Sequence, residues 1–287
     1  MAIDYPSILD LEEKGRRYSY TDRDSMLYAI ALGYGGAPLD ESQLAFVHET
    51  ALKTVPTLAT VIAWGAGVST ARMGINQALV LHMAEETILH RPLPAAGAVI
   101  ADSGVVSVYD RGEGKGALIL RRTVLRSEAD GAPLATLNRT ILARGDGGFG
   151  DAGGAPPASH DAPNRKPDHS LSMPTLPQQA ILYRLCGDRN PLHVDPQAAR
   201  AAGFKAPILH GLCTYGMTCR AVLEVFCRDD PTLVASHAAR FSAPVYPGES
   251  LQVDLWRDGE VVSFEASVPA RDVKVIKAGK SVLRRSA

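Results

Sequence analysis

Between residues 146 and 168 the chain loses any means of building a core. Gly, Pro, Ala and Asp dominate, and no apolar period of a strand or a helix can be traced. Such a stretch buries too little apolar surface to offset the entropy lost on ordering. It is therefore expected to cross the outside of the molecule as an extended linker. It divides the 287 residues into similar halves, 1–145 and 169–287. At roughly 100–200 residues per domain, the chain is two units or one unit made twice.

Each half runs through one programme. Thr21-Asp-Arg-Asp24 reads as a helix start, with Leu27, Ile30, Ala31 and Tyr34 falling on one face. Thr175-Leu-Pro-Gln178 reads as a second capping box, continued by Ile181, Leu182 and Leu185. Both helices are expected to end at glycine, Gly33 in one half and Gly187 in the other. Arg91-Pro-Leu-Pro and Ala243-Pro-Val-Tyr-Pro each lead into alternating apolar segments. Of these, Ala117–Arg126 with Leu134–Ala143 and Leu251–Trp256 with Val261–Val268 read as antiparallel strand pairs. One helix lying on a long antiparallel sheet, twice, is an α+β arrangement.

Charge narrows the partners. Thirty basic against 31 acidic residues give a net charge of -1, so nothing steers the chain toward nucleic acid or an anionic membrane. The most apolar window, Leu58 to Val68, is too short to span a bilayer and is interrupted by Gly65 and Gly67. Met1-Ala-Ile-Asp-Tyr-Pro does not read as a secretory leader, and the closing Arg-Arg-Ser-Ala does not read as a peroxisomal address. Cys186, Cys213, Cys219 and Cys227 form no Cys-x-x-Cys pair and lie in apolar surroundings, as expected of buried free thiols. These features together lead us to expect a cytoplasmic protein.

The segment richest in chemistry is Gly187-Asp188-Arg189-Asn190-Pro191-Leu192-His193. By spacing it serves equally as a helix terminus followed by a proline turn, although that turn has no need of a histidine. A carboxylate and an imidazole held by a rigid Asn-Pro turn would supply an acid and a base around one water. The second segment, Pro207-Ile-Leu-His-Gly211-Leu-Cys, precedes an apolar helix carrying Leu212, Tyr215, Cys219, Val222 and Phe226 close to one face. The Gly211 N–H at such a helix start is a natural oxyanion donor, though an ordinary turn before a helix would look the same. The three parts together suit addition of water across a double bond conjugated to a carbonyl.

Asp188 through His193, with Ile208-Leu-His-Gly-Leu-Cys213 downstream, resembles the motif pair of the MaoC-like, (R)-specific enoyl-CoA hydratase (hydratase 2) family. The likeness extends to Tyr20-Thr-Asp-Arg-Asp24, Leu81-His82, Pro92-Leu-Pro94 and Gly147-Gly-Phe-Gly150, and so covers nearly the whole chain. The resemblance implies a double hot-dog fold, in which two long helices are each wrapped by an antiparallel sheet. It also implies a catalytic C-terminal half and an N-terminal half that only accommodates the acyl-CoA.

In residue terms the resemblance implies that Asp188 and His193 share the acid/base role. Asn190 would position water or imidazole, and the Gly211 N–H would hold the thioester oxygen. His82, Met83, Arg111, Tyr183, Arg189, Pro191, Leu192 and Phe241 would contact substrate, Arg111 toward the CoA phosphates. Tyr34, Gly36-Ala37 and Asp40 occupy the corresponding stretch of the first half, Asp40 in place of the histidine, so that copy is expected to be silent. His82-Met83-Ala84-Glu85 departs from the family's His-Gly-Glu, and Met83 is expected to fill space where glycine usually stands. No metal or redox cofactor is implied, and His48, His90, His160, His169 and His237 show no ligand spacing. A homodimer is expected. A hot-dog dehydratase acting on a specialised acyl-CoA or acyl carrier protein, an acyl-CoA thioesterase, and a catalytically silent acyl-CoA-binding or scaffold protein of the same fold remain the competing readings.

Overall fold

The strands form where the alternation lies. In a computed structural model, which describes residues 3–150, 154–156 and 158–285, the N-terminal half contributes β1 (Glu12–Tyr20), β2 (Val80–Leu89), β3 (Gly97–Asp110), β4 (Ala117–Ser127) and β5 (Pro133–Ala143). The C-terminal half contributes β6 (His169–Pro174), β7 (Val234–Phe241), β8 (Ser250–Asp258), β9 (Val261–Val268) and β10 (Val273–Leu283). All join one ten-stranded antiparallel sheet in the order β1-β3-β4-β5-β2-β7-β10-β9-β8-β6. Read from each edge inward the two halves follow the same order, and they meet where β2 pairs with β7, Ala84 opposite Arg240 through Ile88 opposite Ser236. A duplication that is faint in residue identities is plain in topology.

The helices depart from expectation. They are α1 (Asp22–Ala31), α2 (Glu41–Val47), α3 (Ala59–Ile62), α4 (Gln179–Tyr183), α5 (Pro196–Ala201) and α6 (Gly211–Phe226). Only α6, of 16 residues, is long and enclosed. Its Tyr215 hydroxyl donates to the His237 carbonyl and accepts from the Thr87 hydroxyl, fastening it to both strands of the seam. The matching N-terminal stretch is a stub, a 3₁₀ turn over Pro56–Leu58 running into α3, and the chain turns away at Gly65 and Gly67.

The second capping box is also not used as expected. Thr175 donates its hydroxyl to the Glu249 carbonyl and accepts from Gly248 N–H, and α4 starts only after Gln178. Contact between Tyr28 and Tyr183, ring centroids 5.8 Å apart, turns α1 and α4 toward each other. The buried residues of α1 are consequently Ser25, Tyr28 and Ala29, with Ala31 of the expected face. Ile30, Ile181 and Leu185, expected inside, are 41%, 51% and 49% exposed. The carbonyls left over at the end of α1 find partners in the other half: Gln179 donates to Ala31 (2.7 Å) and Arg220 to Leu32 (3.2 Å).

The connection between the halves is without helix or strand among its described residues, but it is pinned at both ends. The Asp110 carboxylate accepts from Gly148 and Gly150 N–H, and Trp256 Nε1 donates to the Arg165 carbonyl. All four cysteines are free thiols, three of them buried. Among the described residues no helix is long and apolar enough to cross a membrane.

Candidate active site

The turn after α4 is shaped one residue at a time. Gly187 has φ +146°, and a Cβ there would lie 2.8 Å from the Trp64 side chain, so only glycine fits both conformation and space. Asp188 then accepts the Asn190 N–H on Oδ1 (3.0 Å), which leaves Oδ2 free of the turn. Asn190 accepts the Leu192 N–H (3.1 Å) and so caps the short 3₁₀ turn Pro191–His193.

His193 is buried, and its Nδ1 donates to the Ile208 carbonyl at 2.8 Å. That bond assigns the lone pair to Nε2, which lies 3.8 Å from Asp188 Oδ2. Burial lowers the His193 pKa against the opposing pull of the Ile208 bond and of Asp188, so the ring is neutral near pH 7. The gap is too wide for a direct hydrogen bond, but one water could bond to both atoms at about 2.8 Å.

The histidine without an assigned role in the sequence, His210, completes the cluster. Its ring stacks on His193 with centroids 3.7 Å apart, and its Nε2 donates to the Asp188 carbonyl at 3.1 Å. Burial, then the neighbouring His193, pushes its pKa down to about 3. Tyr183 packs 5.0 Å from His210 and is fully buried, so it supports the cluster from below. The signal available in the sequence was position, since His210 immediately precedes Gly211. Asp188, His193 and His210 offer three donor atoms within 4.8 Å of one another.

Gly211 opens α6, where the first N–H groups have no partner within the helix. A Cβ at Gly211 would approach Phe241 to 3.2 Å. Phe241 meets His82 edge-on at 4.8 Å, and His82 Nε2 lies 2.9 Å from the carboxylate of Glu85. Glu85 is also held by Arg139 (2.8 Å). Although burial opposes its charge, Arg139 and His82 hold Glu85 at about 2.

Met83 is the extra residue of a β-bulge between His82 and Ala84. Because His82 pairs with Ile141 and Glu85 with Arg139, the bulge returns His82 and Glu85 to one face of the sheet.

Arg189 and Pro191 are exposed and Leu192 half-buried around the same turn, whereas Arg111 stands apart, exposed in the β3–β4 turn. In the first half Tyr34 is buried against Phe46 (4.4 Å), with the Arg220 guanidinium over its ring. Asp40 does not stand in for a histidine. It caps α2 through Ser42 N–H just as Asp195 caps α5 through Gln197 N–H.

Two family models match the chain, the MaoC like domain over residues 158–278 and the MFE-2 hydratase 2 N-terminal domain over residues 18–145. The protein named Enoyl-CoA hydratase ChsH3 of Mycobacterium tuberculosis is 41% identical over 284 residues, 97% of this chain and 98% of its own length. Among solved structures, a MaoC-like dehydratase from Phytophthora capsici superposes with a TM-score of 0.88 at 32% identity, over 99% of this chain and 100% of that one. A Mycobacterium tuberculosis protein described as a double hotdog fold matches at TM-score 0.53 and 14% identity, covering 96% of this chain and 97% of its own, a likeness of fold alone. The sheet order and the enclosed α6 agree with that double hot-dog architecture.

Proposed function

We infer the reaction from one premise, that this chain belongs to the MaoC-like family of hydratase 2 enzymes. The reaction is the reversible addition of water to a trans-2-enoyl-CoA, giving the (3R)-3-hydroxyacyl-CoA. The observation that carries it is the 3.8 Å separation of His193 Nε2 and Asp188 Oδ2, close to the start of α6. A water held by both atoms loses a proton to one of them as its oxygen attacks C3. The negative charge that gathers on the thioester oxygen is met by the Gly211 N–H. Neutral His193 carries no proton at Nε2, so the proton that reaches C2 is the one the water surrendered. Hydroxyl and proton therefore arrive on the same face.

Asn190 spends its carbonyl oxygen on the turn, which leaves its amide for the water. His210 and Tyr183 hold Asp188 and His193 in place. Phe241 and His82 flank the thioester, with Met83, Arg189, Pro191 and Leu192 nearby, and Arg111 meets the CoA phosphates. No metal or redox cofactor takes part. The protein acts in the cytoplasm as a homodimer; the exposed Ile30, Ile181 and Leu185 on the adjoining α1 and α4 and the free thiols support that setting.

Incubation with crotonyl-CoA tests the reading. Loss of the conjugated-enoyl absorbance without free thiol is expected, with (3R)-3-hydroxybutyryl-CoA as product. Thiol release in its place would make the protein a thioesterase.

A further inference from the structure

The bulge at Met83 sets up a row of charge that the hydration chemistry does not use. Across β2, β5 and β4, Glu85 stands opposite Arg139 and Arg139 opposite Arg121. Like charges directly opposite in a sheet repel, and the one carboxylate of the row engages Arg139. Arg121 donates Nη1 to the Val68 carbonyl (3.2 Å), while its Nε is buried without a hydrogen-bond partner among the described residues. Burial, then the neighbouring Arg139, pulls its pKa down to about 10. Fixed guanidinium groups of this kind are costly unless an anion answers them.

Arg121 lines a cavity with Arg139, Ser103, Thr123 and Trp64. Trp64 is also the side chain that a Cβ at Gly187 would meet at 2.8 Å, so the cavity and the turn that holds Asp188 share this residue as a neighbour. A methyl-ended acyl chain would gain little from two guanidinium groups and a hydroxyl pair.

We propose that this cavity receives the far end of the acyl group, and that the end it takes is a carboxylate paired with Arg121. The inference rests on the enoyl-CoA hydratase reading above. A carboxylate on the planar guanidinium edge supplies the missing negative charge of the row and gives Nε an acceptor.

The test compares trans-2-enoyl-CoAs of equal carbon number, one series ending in methyl and the other in carboxylate, over a ladder of chain lengths. At the length that spans the cavity the carboxylate series should have the higher kcat/KM, by about tenfold or more. Arg121→Gln should collapse that ratio and Arg121→Lys should restore part of it; taken within one sample, the ratio is independent of the fraction folded. Without any variant, a saturated carboxylate-ended acyl-CoA should inhibit crotonyl-CoA hydration more tightly than its methyl-ended analogue. Preference for methyl ends at every length, or a ratio unmoved by Arg121→Gln, overturns the inference and leaves the hydratase standing. Failure to hydrate any enoyl-CoA, crotonyl-CoA included, overturns both.

Discussion

The turn after the first helix of each half offers a controlled comparison, because the strands around it follow the same order. In the C-terminal half it runs Gly187 to His193 and brings a carboxylate, an imidazole and a second histidine together beside a helix start. In the N-terminal half it runs Gly33 to Leu39, ends at the helix cap Asp40 as the other ends at the helix cap Asp195, buries Tyr34 against Phe46 and carries neither carboxylate nor imidazole. The two halves keep the same strand order and the same helix cap after the turn, while the acid and the imidazole stand in one of them alone. Chemistry therefore lives in a handful of side chains, and the fold alone does not confer it.

The comparison breaks most easily at Asp188. Asp188→Asn should lower kcat by about 100- to 10,000-fold, the usual range for a lost acid/base group, with an unchanged thermal midpoint. A loss under threefold in a steady-state crotonyl-CoA assay would remove Asp188 from the proton path. The N-terminal half should show the reverse pattern at Glu85. Glu85→Gln strips the buried Arg139 of its partner and should cost about 3–5 kcal/mol in a denaturant melt.

Gly187→Ala lies between the two, because it strains the backbone and drives a methyl into Trp64. About 1–3 kcal/mol of stability should go, together with activity, as Asp188 shifts.

The pH response comes next and is shared between the halves. His82 of the N-terminal half and His193, His210 and His237 of the C-terminal half all have pKa values lowered by burial, those of His210 and His237 to about 3. The unfolded chain takes up protons first as pH falls, so stability should rise with pH. It should be whole above the ordinary histidine value of 6.5 and drain away between there and about 3. Equilibrium unfolding across that window that showed no slope would contradict the burial. The smallest effect is expected at Asp40→Ala, which should lower the thermal midpoint slightly as a lost helix cap and leave kcat alone.

The strands and the division into halves were legible because a two-residue alternation and a Gly/Pro-rich gap are local signals. Asp188, Asn190 and His193 were legible as a set because the turn that joins them is only six residues long. His210 was not, since its role depends on a ring stacked against it from 17 positions upstream in the chain. The helix faces misled for a similar reason. Ile30 and Ile181 fit a helical period, but Tyr28 and Tyr183 decide which side turns inward, and that contact joins residues from different halves. The bulge at Met83 shows itself only when β5 supplies a register to count against.

The hydrogen bonds that finish α1 also carry an order of events. Gln179 comes 148 residues after Ala31, and Arg220 comes 188 after Leu32. A ribosome adding about 5–20 residues per second makes the end of α1 wait many seconds for its partners, and the outer edge of β2 waits as long for β7. Throughout that interval the first half is a nascent chain with an open strand edge, and the translated second half is what closes it.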